Sequence, residues 1–190
     1  SKEDPKEILT KLIHKIYKNK GVLIVPAFAV GRTQEILYLL RKLETEKKIP
    51  EIPVYLDSPM AIEATEIYLR HMEDLKLDLN EDGFMEPLSS HAYYPTQYVE
   101  ESKNLCKKDG PMIVISASGM LTGGRVLHHL KTRLPKEENI VLFVGWQAEE
   151  TKGRLLLHGI PKIHIHHEEI EVKAQIASID SLSAHGDTED

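Results

Sequence analysis

The chain has 190 residues, 41% of them hydrophobic, and a formal net charge of −6 at pH 7. This suits one domain with a sizeable core, or one domain plus a piece of another, and it excludes a generic polyanion binder. Any contact with nucleic acid must be local, made by a few basic residues and backbone amides.

In chain order, Asp4 can cap a helix with Pro5 at its first position and Glu7 completing a capping box. Ile8, Leu9, Leu12, Ile13, Ile16 and Tyr17 form its apolar stripe, and Gly21 is expected to end it. Val22 to Val25 is wholly apolar, as in a strand covered on both faces. Thr33 can then cap a second helix carrying Ile36, Leu37, Leu40 and Leu43. Pro53 to Leu56 reads as a strand, and Ser58-Pro59 opens a third helix to about His71. Residues 75–97 are polar and contain Gly83, Pro87 and Pro95, which suggests an excursion rather than core. Met112 to Ile115 is a strand; a helix follows Gly123-Gly124 to about Leu134, and Ile140 to Val144 is the next strand. From Leu155 the pattern becomes strand-like, over Ile163 to His166 and Glu171 to Ile179. The alternation predicts an α/β fold with a mainly parallel sheet and helices on both faces.

Cys106, the single cysteine, cannot form an internal disulfide, and fits a reducing, cytoplasmic setting. No apolar run approaches membrane-spanning length and no signal peptide opens the chain, so no membrane partner is expected. The opening Ser1-Lys2-Glu3, without methionine, reads as a fragment of something longer.

Three strand ends look alike. Val25 leads into Gly31-Arg32-Thr33, Asp57 into Ser58-Pro59, and Ile115 into Ser116-Ala117-Ser118-Gly119. Ligands of open parallel sheets collect beyond the carboxyl ends of strands, where helix N-termini present unpaired amides. Glycine admits close backbone approach, hydroxyls donate, and the Arg32 guanidinium is a fork suited to phosphate. Each turn alone reads as an ordinary capped turn; all on one rim point to a phosphate-bearing ligand. The P-loop and dinucleotide-binding glycine patterns are both absent. Near the end, Ser181-Leu182-Ser183-Ala184-His185-Gly186-Asp187 sets a histidine among small residues, where it can donate to a phosphate oxygen or protonate a leaving group.

Val25-Pro26-Ala27-Phe28-Ala29-Val30-Gly31-Arg32-Thr33-Gln34-Glu35 and Leu56-Asp57-Ser58-Pro59-Met60-Ala61 resemble the β-CASP domain of RNA-processing metallo-β-lactamase-fold nucleases. Ser116-Ala117-Ser118-Gly119-Met120, Gly123-Gly124, Gly145-Trp146-Gln147-Ala148, Thr151-Lys152-Gly153-Arg154 and the His185 segment continue the resemblance in order. It implies a β-CASP domain over 1–178, with 179–190 starting the return into a metallo-β-lactamase domain of the same chain, and single-stranded RNA entering the cleft between them. It implies two zinc ions in the complete protein, activating a hydroxide against an RNA phosphodiester. His185 then stands beside the scissile phosphate, while Arg32, Ser116, Ser118, Gly119, Arg154 and Ser183 hold substrate phosphates. The His-x-His-x-Asp-His zinc motif of the family is absent, so this chain is expected to bind no metal and to be inactive alone. Oligomerisation is left open, and a non-catalytic scaffolding module of an RNA-processing complex is the alternative reading.

Other histidines are read as structural. His164, His166 and His167 are expected at a polar, solvated hairpin, and His128 and His129 on a helix surface rather than as ligands. Asp57 is either catalytic or a capping and turn-stabilising residue.

Overall fold

The structure is a computed structural model and describes residues 3–74 and 92–180. Asp4 caps α1 (Pro5–Asn19) by accepting a hydrogen bond from the Lys6 amide, and Lys20 closes the helix in the left-handed region at φ 56°. Gly21 is needed for a different reason from the expected helix stop. A Cβ there would lie 1.8 Å from the Glu138 carbonyl oxygen, so only glycine lets these two backbone segments meet.

Five strands expected or extended from the apolar runs enter one sheet: β1 (Val22–Pro26), β2 (Val54–Asp57), β4 (Met112–Ser116), β5 (Ile140–Phe143) and β8 (Gln175–Ser178). A short strand, β3 (Tyr93–Pro95), adds an edge, giving the order β3-β2-β4-β1-β5-β8 with every pairing parallel. The α/β reading with a parallel sheet therefore holds, and the strands after which the sequence placed its turns are consecutive neighbours.

Alternation along each strand divides the core. Leu23 and Val25 of β1 face one way with Leu56, Ile113 and Leu142; there they meet Leu9, Ile13 and Ile16 of α1, Ile36, Leu37 and Leu40 of α2 (Arg32–Thr45), and Ile62 of α3 (Pro59–Asp74). Val22 and Ile24 face the other way with Val114 and Phe143. They meet Leu105 of α4 (Val99–Leu105), Val126 and Leu130 of α5 (Val126–Arg133), and Leu156 of α6 (Lys152–Leu157). Each fully buried leucine or isoleucine contributes about 1.5–3 kcal/mol relative to exposure. This two-sided burial is why the strands read as unbroken apolar runs.

Several expectations are corrected. The stretch from Leu155 begins as the end of α6, not as strand. The later strand-like run divides in two: β6 (Lys162–Ile165) and β7 (Glu168–Glu171) form a separate antiparallel hairpin, and only β8 joins the main sheet. Part of the polar excursion, from residue 92, is structured and contains β3, and α4 follows directly after it; residues 75–91 lie outside the described residues.

Candidate nucleic-acid interface

The helices after β1 and β2 pack on one face of the sheet and those after β4 and β5 on the other. The chain thus leaves the neighbouring strands β1 and β4 in opposite directions, and likewise β2 and β4. Crevices at such reversals, beyond the strand carboxyl ends, are where open parallel sheets hold ligands.

The loop after β1 is fixed by the first turn of α2. Its N-cap is Gly31, at φ 93°, rather than Thr33. Thr33 is buried and donates its hydroxyl to the Phe28 carbonyl at 2.7 Å. The Gln34 amide donates to the Ala29 carbonyl and to the Thr65 hydroxyl, both at 3.0 Å, while its oxygen accepts from the Gly31 amide at 2.6 Å. Arg32 is left at the loop edge, its Nη1 3.0 Å from Oε2 of Glu35.

The loop after β4 is knotted on itself. The Ser118 hydroxyl accepts from the Thr122 amide at 2.9 Å and from the Gly123 amide at 3.3 Å, and donates to the Gly123 carbonyl at 3.1 Å. A Cβ at Gly124 would stand 2.4 Å from the Ala117 carbonyl oxygen, and one at Gly119 would stand 3.2 Å from the Phe28 amide. The close packing of Gly119 on Phe28 joins the β1 and β4 loops. Ser116 is buried and donates across the sheet to the Asp57 carbonyl at 2.8 Å.

Gln147 brings in the loop after β5. Its buried amide donates to the carbonyls of Gly119 at 2.9 Å and Gly145 at 3.0 Å. Thr151 caps α6 by accepting from the Arg154 amide at 3.2 Å, and Nη2 of Arg154 lies 3.3 Å from Oε1 of Glu149. Phe28, Val30 and Trp146 stand exposed on these loops, Trp146 at 70%, and Met60 is exposed in the first turn of α3.

The structure therefore brings Arg32, Ser116, Ser118 and Gly119 to one linked set of loops, with Arg154 in the helix that follows the β5 loop. The hydroxyls of Ser116 and Ser118 are engaged within the protein, while the side chains of Arg32 and Arg154 are partly exposed, beside Glu35 at 3.0 Å and Glu149 at 3.3 Å. Ser183 and His185 lie outside the described residues.

Beneath the rim lies a buried charge cluster that sequence reasoning resolved only in part. Asp57 is fully buried. Its Oδ2 is 2.5 Å from Nε2 of His129 and accepts from the Ser102 hydroxyl at 2.6 Å, while Oδ1 accepts from Nη1 of Arg125 at 3.0 Å. Arg125 also donates to the carbonyls of Thr96 and Gln97. Burial alone would raise the Asp57 carboxyl, but hydrogen bonds from His129 and Ser102, the His129 charge and Arg125 hold it below its ordinary value. Burial likewise pushes His129 down, yet hydrogen bonds to Asp57 and Cys106 and the Asp57 charge hold it above its ordinary value. His129 is thus buried and not a surface residue, whereas His128 is exposed and tilts against His166, 4.7 Å away between centroids. His164, His166 and His167 are exposed on or beside the β6–β7 turn, the last two at φ 50° and 66°, in keeping with the hairpin reading. Among the described residues, no group of three or more His, Cys, Asp and Glu side chains is placed to hold a metal ion. None of their helices is long and apolar enough to cross a membrane.

The Beta-Casp domain profile matches residues 33–156, and the chain belongs to the β-CASP family. It is similar to the transcription termination factor FttA of Pyrococcus horikoshii, 35% identical over 98% of this chain and 30% of that protein. It is also similar to ribonuclease TTHA0252 of Thermus thermophilus, 34% identical over 97% of this chain and 42% of that protein. FttA of Methanocaldococcus jannaschii is 31% identical over 98% of this chain and 30% of its own length. The chain therefore spans well under half the length of these relatives.

Proposed function

We propose that this chain is the RNA-clamping part of a ribonuclease that hydrolyses phosphodiester bonds of single-stranded RNA. The observation that carries the reading is the linked rim, which has Arg32 at the first turn of α2, directly after the β1 loop, and Phe28 and Trp146 exposed on the β1 and β5 loops. The Phe28 ring approaches Gly145, the neighbour of Trp146. Guanidinium forks suit phosphate oxygens, and exposed aromatic faces suit bases. The name of the Thermus relative, a ribonuclease, supports the same class. Arg32 and Arg154, each steadied by one carboxylate, would hold phosphates flanking the scissile bond, and the tight backbone around Gly119 would let the strand lie close. His185 would donate to the scissile phosphate or to its leaving group. Zinc, implied by the family resemblance, finds no ligand set among the described residues, so no step here runs through it. The ions and the other domain would come from parts of the protein outside this chain.

The test uses the full-length protein. Replacing Arg32 and Arg154 together with alanine should weaken binding to single-stranded RNA and flatten its salt dependence by about 0.7 in log–log slope for each lost phosphate contact. His185→Ala should slow cleavage about a hundredfold or more with zinc content unchanged. An unchanged salt slope would remove the clamp. Loss of metal from a folded His185→Ala variant would make that residue a ligand instead.

A further inference from the structure

An open cavity of about 510 Å³ lies beside the rim, and none of its side chains enters the clamp described above. Its volume is in the range of ligand sites. Three elements wall it: the β4 loop at Leu121 and Thr122, the start of α6 at Lys152 and Leu155, and β6 at Lys162 and His164. Residues three apart on a helix share a face, which is how Lys152 and Leu155 both reach the cavity. Alternation along β6 leaves Lys162 and His164 exposed and buries Ile163.

The floor is apolar. Leu121 and Ile163 belong to the core beneath it, Ile160 is half-buried, and Leu155 is left 43% exposed. The edge is cationic: Lys152, Lys162 and His164 stand against one carboxylate, Glu150, among the described residues that line it. Glu169 lies 3.9 Å from Lys162, an exposed pair of the kind that contributes little and that a phosphate can displace. An apolar floor with ammonium groups at its edge matches a nucleotide, whose base has two apolar faces and whose phosphates are anionic. The cavity also shares a wall with the rim. The Thr122 amide donates to the Ser118 hydroxyl at 2.9 Å, so the cavity lip and the Gly119 turn packed on Phe28 belong to one hydrogen-bonded loop. A strand that leaves the rim across this loop passes onto the cavity.

We propose that the cavity is a second RNA subsite, which takes a nucleotide of the same single strand away from the scissile bond. The base lies over Leu155 and Ile160, and its phosphates meet Lys152 and Lys162, with the His164 ring as a further donor. The proposal rests on the RNA-clamping reading and extends the footprint from the rim to α6 and β6.

The experiment measures binding of oligouridylates of graded length to the full-length protein by fluorescence anisotropy, with chelator present so that the strand is not cut. Wild-type affinity should rise again once the strand is long enough to pass beyond the rim. Replacing Lys152 and Lys162 together with alanine should abolish that second rise. The longest strand should then bind about tenfold more weakly, with a log–log salt slope lower by about 1.4 for two lost phosphate contacts, while the shortest strand that binds is unaffected. Leu155→Glu should show the same dependence on length. In the wild type, 4-thiouridine at one end of the longest strand should cross-link within residues 150–164. A lysine variant that binds the longest strand as tightly as wild type, or that weakens every length alike, overturns the subsite, as does a cross-link found only on the rim. Arg32→Ala with Arg154→Ala should weaken every length, and that result tests the clamp separately. A wild-type protein that binds no strand of any length defeats the clamp, and the subsite with it.

Discussion

Asp57→Asn is the sharpest probe of what holds the rim together. The substitution keeps the shape of the side chain and removes its charge, which faces His129 and Arg125 and accepts from Ser102. Removing one partner of a buried ion pair costs about 3–5 kcal/mol, because the other charge is left without compensation. Two features place the cost at the low end. His129 can shed its proton once the carboxylate is gone, and Arg125 keeps the Thr96 and Gln97 carbonyls at 3.0 and 2.8 Å with its side chain 20% exposed. A loss of about 3 kcal/mol corresponds to a melting temperature lower by about 6–12 °C in a domain of this size. The loss also depends on pH. The depressed Asp57 contributes stability above its unfolded value near 3.8, and this is lost as pH falls through the folded value. The raised His129 contributes fully below its unfolded value near 6.5, and this is lost as pH rises through its folded value. Both contributions are present between those limits. Urea unfolding of wild type and variant should therefore give a larger difference at pH 5.5 than at pH 9. A difference below about 1 kcal/mol, or one equal at both pH values, would refute the argument, as would strict additivity with His129→Gln.

Gly21→Ala should cost about 2 kcal/mol or more in urea unfolding, because the clash at 1.8 Å is with backbone that cannot swing aside. Gly31→Ala meets no atom within 4 Å and should cost only the strain of its φ of 93°, about 1–2 kcal/mol; the reverse ranking would show that the loop relaxes differently. Gln147→Leu removes the donors to Gly119 and Gly145 and should raise amide exchange in the 117–124 loop while leaving the α1–β1 unit unchanged. Elemental analysis of this chain on its own should find well below one zinc per molecule, with no RNA cleavage. Near-stoichiometric zinc with chelator-sensitive cleavage would contradict that.

The sheet was readable because burial on both faces leaves a simple mark. Val22 to Val25, Met112 to Ile115 and Ile140 to Val144 are unbroken apolar runs, and each is a strand. What was not readable depends on neighbours far along the chain. Tyr93–Pro95 is only three residues long and becomes a strand because the outer edge of β2 is available to pair with it. The division between β7 and β8 follows from Val172, Lys173 and Ala174, whose amides bond to the Pro161 and Leu134 carbonyls and turn the chain from one sheet to the other. The burial of His129 is legible in the helix periodicity. Val126, Leu127, Leu130 and Leu134 define one side of α5; at 100° per residue, His129 falls at the margin of that side and His128 opposite it.

The candidate site was legible as a place and less so as chemistry. Small and hydroxylated residues at strand ends suggested ligand donors, but the same residue types serve loops that must pass close to one another. Ser116 ties β4 to β2, Ser118 closes its own turn, and Thr33 ties α2 to the preceding loop. No spacing rule distinguishes a hydroxyl that meets a phosphate from one that meets a carbonyl, since the difference lies in which backbone the sheet order brings alongside. Sheet order sets β4 between β1 and β2, and so joins Asp57 to a serine 45 residues away and a histidine 72 residues away. The arginines differ because their forks exceed local demand. A guanidinium has five N–H donors, and among the described residues Arg32 has one carboxylate partner, Glu35, at 3.0 Å on a partly exposed surface. Such pairs are worth at most about 1 kcal/mol, so a phosphate can displace or share the carboxylate at little cost. The rim is thus rigid where its hydroxyls are bonded and exchangeable where its charges are exposed, and salt should weaken ligand binding there well before it weakens the fold.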